Sequence, residues 1–191
     1  MSSINFTRAE LTAALARGVR QLVVIGSRTS LSEALKSSPN ETLQVFAVDE
    51  ERPSDSAATF VPTRFESEAL ATALEKSDFD KLKASLFVWL DGLGYRTVDA
   101  ALASFGFIAS LPKGSGVVFD YAVERTVVGS LSHGALDALA SRICVAGGSI
   151  KHLIQPQAVA AMLRGLGFQK IVDLAWEELA FSGGHLVSAS V

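Results

Sequence analysis

The sequence predicts an α/β fold: a doubly wound, mostly parallel seven-stranded sheet with helices on both faces and a C-terminal antiparallel hairpin. Three observations carry this. Short, continuously apolar runs rich in β-branched residues, the signature of strands covered on both faces, alternate with segments of helical periodicity. Right-handed crossovers are nearly obligatory, so this alternation implies parallel pairing with helices on both sides. The last two runs, 170–176 and 185–190, are separated by a loop containing Gly183 and Gly184 that is too short for a crossover helix, so they pair antiparallel.

Thr7 and Glu10 have capping-box spacing and predict a helix over about 8–17, with Leu11, Ala14 and Leu15 on one face and Gly18 as its stop. QLVVIG (21–26) is the first strand. Ser30 and Glu33 repeat the capping pattern and open a helix to about Lys36, before LQVFAVD (43–49) forms the second strand. ATFVPT (58–63) is a short third strand, and Pro62 places it at an edge. Ser67 caps a helix carrying Leu70 and Leu74, and SLFVWL (85–90) is a doubly buried fourth strand in which Trp89 reads as core. Thr97 caps a helix with Val98, Ala101, Leu102, Phe105 and Ala109 at helical spacing, ended by Pro112 and Gly114. GVVFDY (116–121) is the fifth strand. Ser132 caps a helix closed by Gly147-Gly148, and Pro156 opens another whose Val159, Met162, Leu163 and Leu166 form a core stripe.

The chain has 191 residues, 49% hydrophobic and 19% charged, enough for one sizeable core in a single domain spanning 1–191. Its 17 basic and 20 acidic residues leave a net charge of −3 with no basic run, which argues against nucleic-acid phosphates or an anionic membrane as partners. Cys144 is the only cysteine, so no internal disulfide or cysteine metal cluster is available, and a reducing cytoplasmic home is expected. No apolar run reaches the roughly 20 residues that span a bilayer, and MSSINFTRAE lacks the apolar stretch of a signal peptide. His133, His152 and His185 are scattered, and no metal site is expected.

In a sheet of this kind ligands bind outside the carboxyl ends of the strands, where the strand order reverses. That directs attention to 26–30, 49–51, 64–66, 91–95 and 120–122. Gly26 and Asp49 end the first two strands at about the separation at which nucleotide folds set an acid against ribose hydroxyls; an Asp there also serves as a turn or helix cap. GSRTSL has one glycine, so the dinucleotide fingerprint is absent, as is the Walker pattern. Arg28, Arg64, Arg96 and Arg125 lie near the same edge and could meet an anionic ligand.

Several segments in the same order resemble the leucine carboxyl methyltransferase-like proteins, S-adenosylmethionine-dependent O-methyltransferases of the class I, Rossmann-like fold. These are ALARGVRQLVVIG, VFAVDE, FVWLDGLGYRTVDAAL, LPKGSGVVFDY and LRGLGFQKIVDL, which together span roughly residues 8–180. The resemblance implies methyl transfer to a carboxylate or hydroxyl oxygen of a small acceptor. It places Gly26 and Ser27 under the methionine part of the cofactor, Asp49 on the ribose, Arg64 and Phe65 beside the adenine, and Leu90 at the reacting end. Asp91 and Tyr95 are its catalytic candidates, and Asp120, Tyr121 and Arg125 its candidates for holding the acceptor.

The sequence also departs from that pattern. Gly26-Ser27-Arg28-Thr29-Ser30-Leu31 replaces a loop with two glycines and an acid, Arg64 stands where the family places an acid, and Asp91 and Gly94 replace a glycine and a proline. The chain starts at the helix before the first strand, so the family's N-terminal cover is expected to be lacking and a homodimer, formed beside the strand carboxyl ends or the first helix, to replace it. Two other readings stand beside methyl transfer: a non-catalytic remnant serving as an interaction module, and a binder of another nucleotide or anionic metabolite.

Overall fold

The computed structural model describes residues 3–26, 43–52, 58–64, 68–90, 98–122, 156–176 and 184–191. Its elements are α1 (Ser3–Ala16), β1 (Gln21–Ile25), β2 (Gln44–Asp49), β3 (Thr59–Pro62), α2 (Leu70–Glu75), β4 (Ser85–Trp89), α3 (Val98–Ala109), β5 (Gly116–Ala122), α4 (Pro156–Leu166), β6 (Lys170–Trp176) and β7 (Gly184–Ser190). The helices expected from Ser30 and from Ser132 lie outside the described residues.

The seven strands form one sheet in the order β3-β2-β1-β4-β5-β7-β6. Pairing is parallel from β3 through β5, whereas β7 runs antiparallel to both β5 and β6. The expected hairpin is therefore present, and its later strand is inserted beside β5. Gly116 permits that insertion: a Cβ there would stand 2.6 Å from the Ala189 carbonyl oxygen on β7. The chain builds outward from β1 to β3 and then returns to β4, so the strand order reverses between β1 and β4.

Every residue of β1 and of β4 is buried, as their unbroken apolar runs require. On one face Val23, Ile25, Phe46, Phe87, Trp89 and Phe119 pack under Leu74 of α2, Phe105 of α3 and Leu163 of α4. On the other, Leu22, Val24, Val88, Val118 and Leu186 pack under Phe6, Leu11 and Ala14 of α1. The α4 stripe is core as expected, with Val159 and Leu163 buried and Met162 and Leu166 packed against the same cluster. On α3 the most deeply buried apolar residues are Ala101, Phe105 and Ile108, while Leu102 is only partly covered. The edge position expected for the Pro62 strand is the one β3 occupies.

Two helix starts differ from expectation. Helix α1 begins at Ser3, and Thr7 lies inside it, fully buried, with Oγ1 donating to the Ser3 carbonyl at 2.8 Å. Burial of Phe6 extends the apolar face by a turn and outweighs the capping pattern. Glu10, the supposed partner in that box, instead accepts a hydrogen bond from Ser188 Oγ of β7 at 2.7 Å. Helix α2 takes Ala69 as its N-cap with no side-chain cap bond, and burial of Leu70, Ala73 and Leu74 holds this short helix; Ser67, the expected cap, lies outside the described residues.

Candidate functional site

The strand order reverses between β1 and β4, with β2 and β3 on one side and β5 on the other, and in sheets of this kind ligands bind outside the carboxyl ends at such a reversal. Gly26 follows β1 with φ of 92°, a conformation that favours glycine, and its N–H donates to the Val48 carbonyl at 3.0 Å. Among the described residues no heavy atom lies within 4 Å of the place a Cβ would take at Gly26.

Asp49 closes β2. Its carbonyl oxygen accepts from the Thr63 N–H at 2.9 Å, which ties it to the end of β3. Its Oδ1 accepts from the Glu50 N–H at 2.7 Å, so the side chain is partly the turn organiser that a strand-end Asp often is. Its Oδ2, however, is buried with no hydrogen-bond partner among the described residues. A buried acceptor without a donor is unfavourable by about 1–3 kcal/mol. A ligand hydroxyl at this point would remove that penalty.

Arg64 is exposed two residues beyond β3, with its carbonyl accepting from the Glu68 N–H at 2.8 Å. Leu90, just past β4, is 6% exposed and belongs to the core on the α1 side. Trp89 is core as expected, its ring 5.9 Å from that of Phe105. Its Nε1 has no partner among the described residues. Asp120 is buried on β5. Ser27, Phe65, Asp91, Tyr95 and Arg125 lie outside the described residues.

Tyr121, a candidate for holding the acceptor, is tied into the hairpin. Its hydroxyl donates to Asp173 Oδ2 on β6 at 2.8 Å, and burial together with this bond raises its pKa above the ordinary tyrosine value. The other oxygen of Asp173 meets His185 Nδ1 of β7 at 2.5 Å. The imidazole stacks on the Tyr121 ring, centroids 5.2 Å apart and planes 20° apart. Neither Asp173 nor His185 was expected at a site. The available signal was an acid in the middle of the apolar run KIVDLAW, a position that needs a partner if buried.

No protein-family model and no curated protein sequence matches the chain. Solved structures do. A DUF574 family protein from Streptomyces avermitilis MA-4680 superposes with a TM-score of 0.57 at 13% identity, over 99% of this chain and 81% of that one. Human N-acetylserotonin methyltransferase in complex with SAM gives a TM-score of 0.55 at 12% identity, over 96% of this chain and 51% of that one. An O-methyltransferase family protein from Burkholderia thailandensis gives 0.55 at 15% identity, over 93% and 52%. The chain thus spans about half the length of these two methyltransferases. What it shares with them is the fold: the Rossmann-like, mostly parallel seven-stranded sheet closed by an antiparallel hairpin.

Proposed function

We propose that this chain binds S-adenosylmethionine across the carboxyl ends of β1, β2 and β4 and transfers its methyl group to an oxygen of a small acceptor. The observation that carries the reading is the buried, unpartnered Oδ2 of Asp49 at the end of β2, in a sheet whose order reverses beside it. A vicinal pair of ribose hydroxyls supplies the donors such an oxygen lacks. The open face of Gly26 fits the same ligand, because the methionine part can pass close over backbone there. When bound, the cofactor supplies an electrophilic methyl group on a sulfonium. The chain's own work is to orient the acceptor oxygen in line with that group and to exclude water. The sequence resemblance to carboxyl methyltransferases supports an oxygen acceptor.

Calorimetry with S-adenosylmethionine and with its demethylated product tests this. Asp49→Asn keeps the shape but removes the charge, and weakens binding by about 1–3 kcal/mol, or roughly 5–150-fold in Kd. Absence of binding to either ligand at millimolar concentration, or equal affinity in Asp49→Asn, would overturn the proposal.

A further inference from the structure

The hairpin brings a second set of ionisable groups to the same end of the sheet. Tyr121 on β5 pairs in register with His185 on β7, two residues beyond the Phe119 that pairs with Trp89 at the end of β4. Asp173 on β6 completes the set from the far side of β7. Strands lie about 4.8 Å apart, so β7 stands roughly 10 Å from β4, within reach of an acceptor held over β4 and β5.

The three side chains fix one another. Asp173 is bonded through both oxygens, to the Tyr121 hydroxyl and to His185 Nδ1. A carboxylate on Nδ1 places the imidazole proton there and leaves the lone pair on Nε2. The His185 side chain is 19% exposed, and the hydrogen bond to Asp173 engages its Nδ1. The Tyr121 ring holds the imidazole plane by stacking. Its own hydroxyl is committed as a donor to Asp173 and does not serve as a base. Among the described residues, Asp173 and Tyr121 are the titratable groups bonded to or stacked on His185.

We propose that His185 Nε2 is the general base for the acceptor, and that the acceptor group is therefore a neutral hydroxyl, an alcohol or phenol, rather than a carboxylate. This rests on the methyl-transfer reading above. A carboxylate is already ionised at neutral pH and has no proton to surrender, whereas a hydroxyl becomes a competent nucleophile as its proton leaves. The hydroxyl proton passes to Nε2 as the acceptor oxygen bonds to the methyl carbon. The pair of the broken carbon–sulfur bond stays on sulfur, and the imidazolium then releases the proton to water. Asp173 and Tyr121 are positioning residues, acting through the tautomer and plane of His185.

Long-range ¹H–¹⁵N NMR on the full wild-type chain, with His185→Gln identifying the resonance, reads the base directly and needs no bound ligand. The expected result is an imidazole whose proton rests on Nδ1, facing Asp173. A proton resting on Nε2 overturns the proposal. In Asp173→Asn the amide oxygen accepts from Tyr121 and turns its NH₂ toward Nδ1, so the tautomer should switch. A tautomer unchanged in that variant also counts against the assignment.

Turnover against a panel of small phenols, alcohols and carboxylates supplies the second readout. Methyl ethers are expected, with kcat about 10²–10⁴-fold lower in His185→Gln. Affinity for the demethylated cofactor should stay within about twofold of wild type. Methyl esters as the products, no ethers from a chain that binds the cofactor, or a kcat unchanged in His185→Gln would overturn the base. A wild-type chain that binds no cofactor instead overturns the reading beneath it, a result the calorimetry separates from the others.

Discussion

The two ends of the sheet treat partly buried carboxylates in opposite ways. On the β1–β2 side, Asp49 closes a parallel strand with one oxygen in a turn and the other buried and unpartnered among the described residues. On the β5–β7–β6 side, Asp173 has both oxygens bonded by protein side chains. The first arrangement has an oxygen without a donor among the described residues, the place the proposed function gives to a ligand. The second is complete within the fold and fixes the geometry of its neighbours, which points to positioning. A carboxylate's partners, more than its burial, distinguish a binding group from an orienting one.

The largest effect should come from the seam between these halves. Phe119 is 1% exposed on β5, its ring 4.9 Å from Phe105 and 6.2 Å from Tyr121. Phe119→Ala should lower stability by about 3–5 kcal/mol in denaturant unfolding, with both halves lost in one transition. Two separate transitions would show that the halves fold independently.

Exchanging the carboxylates tests the comparison itself. Asp173→Ala leaves the buried Tyr121 hydroxyl without its acceptor and should reduce stability by about 1–3 kcal/mol. Asp49→Asn should change stability by less than about 0.5 kcal/mol while weakening the cofactor, because its effect falls on a ligand contact. Reversal of these two outcomes in paired denaturation and binding measurements would exchange the assigned roles.

Alkaline pH offers a subtler probe. Tyr121 has a folded-state pKa raised above its ordinary value of 10.0 by burial and by the hydrogen bond to Asp173. Above pH 10 the unfolded chain therefore releases a proton that the folded chain retains. The stability from this group is fully present below about pH 10 and falls as pH rises further, by up to about 1.4 kcal/mol per pH unit. Unfolding in denaturant at successive pH values above 10 measures the slope, and Tyr121→Phe should remove that contribution. A slope unchanged in the variant would place the alkaline sensitivity elsewhere.

The smallest effect concerns Arg64, exposed beyond β3 where the resemblance places the adenine. Arg64→Asp offers an acceptor to the adenine amino group and should strengthen S-adenosylmethionine binding by about 0.5–1 kcal/mol. Weaker binding would make Arg64 itself a ligand contact.

Much of the fold is readable locally. QLVVI and SLFVW are buried at every position, so an unbroken apolar run suffices to identify them as central strands. The hairpin follows from loop length, and the edge strand from Pro62. Asp49 was legible as a site candidate because it needs only its place at a strand end. Where local signals misled, a contact distant in sequence had intervened: Phe6 carries α1 past its apparent cap, and Glu10 bonds Ser188, 178 residues away.

Sequence by itself thus determined which segments are strands and which faces are apolar, since each depends on burial patterns within a few residues. Only the tertiary structure decided that Tyr121, Asp173 and His185 meet. Tyr121 and Asp173 are 52 residues apart, and Asp173 and His185 are 12 apart on paired strands. Their meeting depends on insertion of β7 between β5 and β6 and on a register that sets Tyr121 opposite His185. That order minimises exposed apolar surface over the whole sheet, a property of all seven strands together that no single stretch of chain carries.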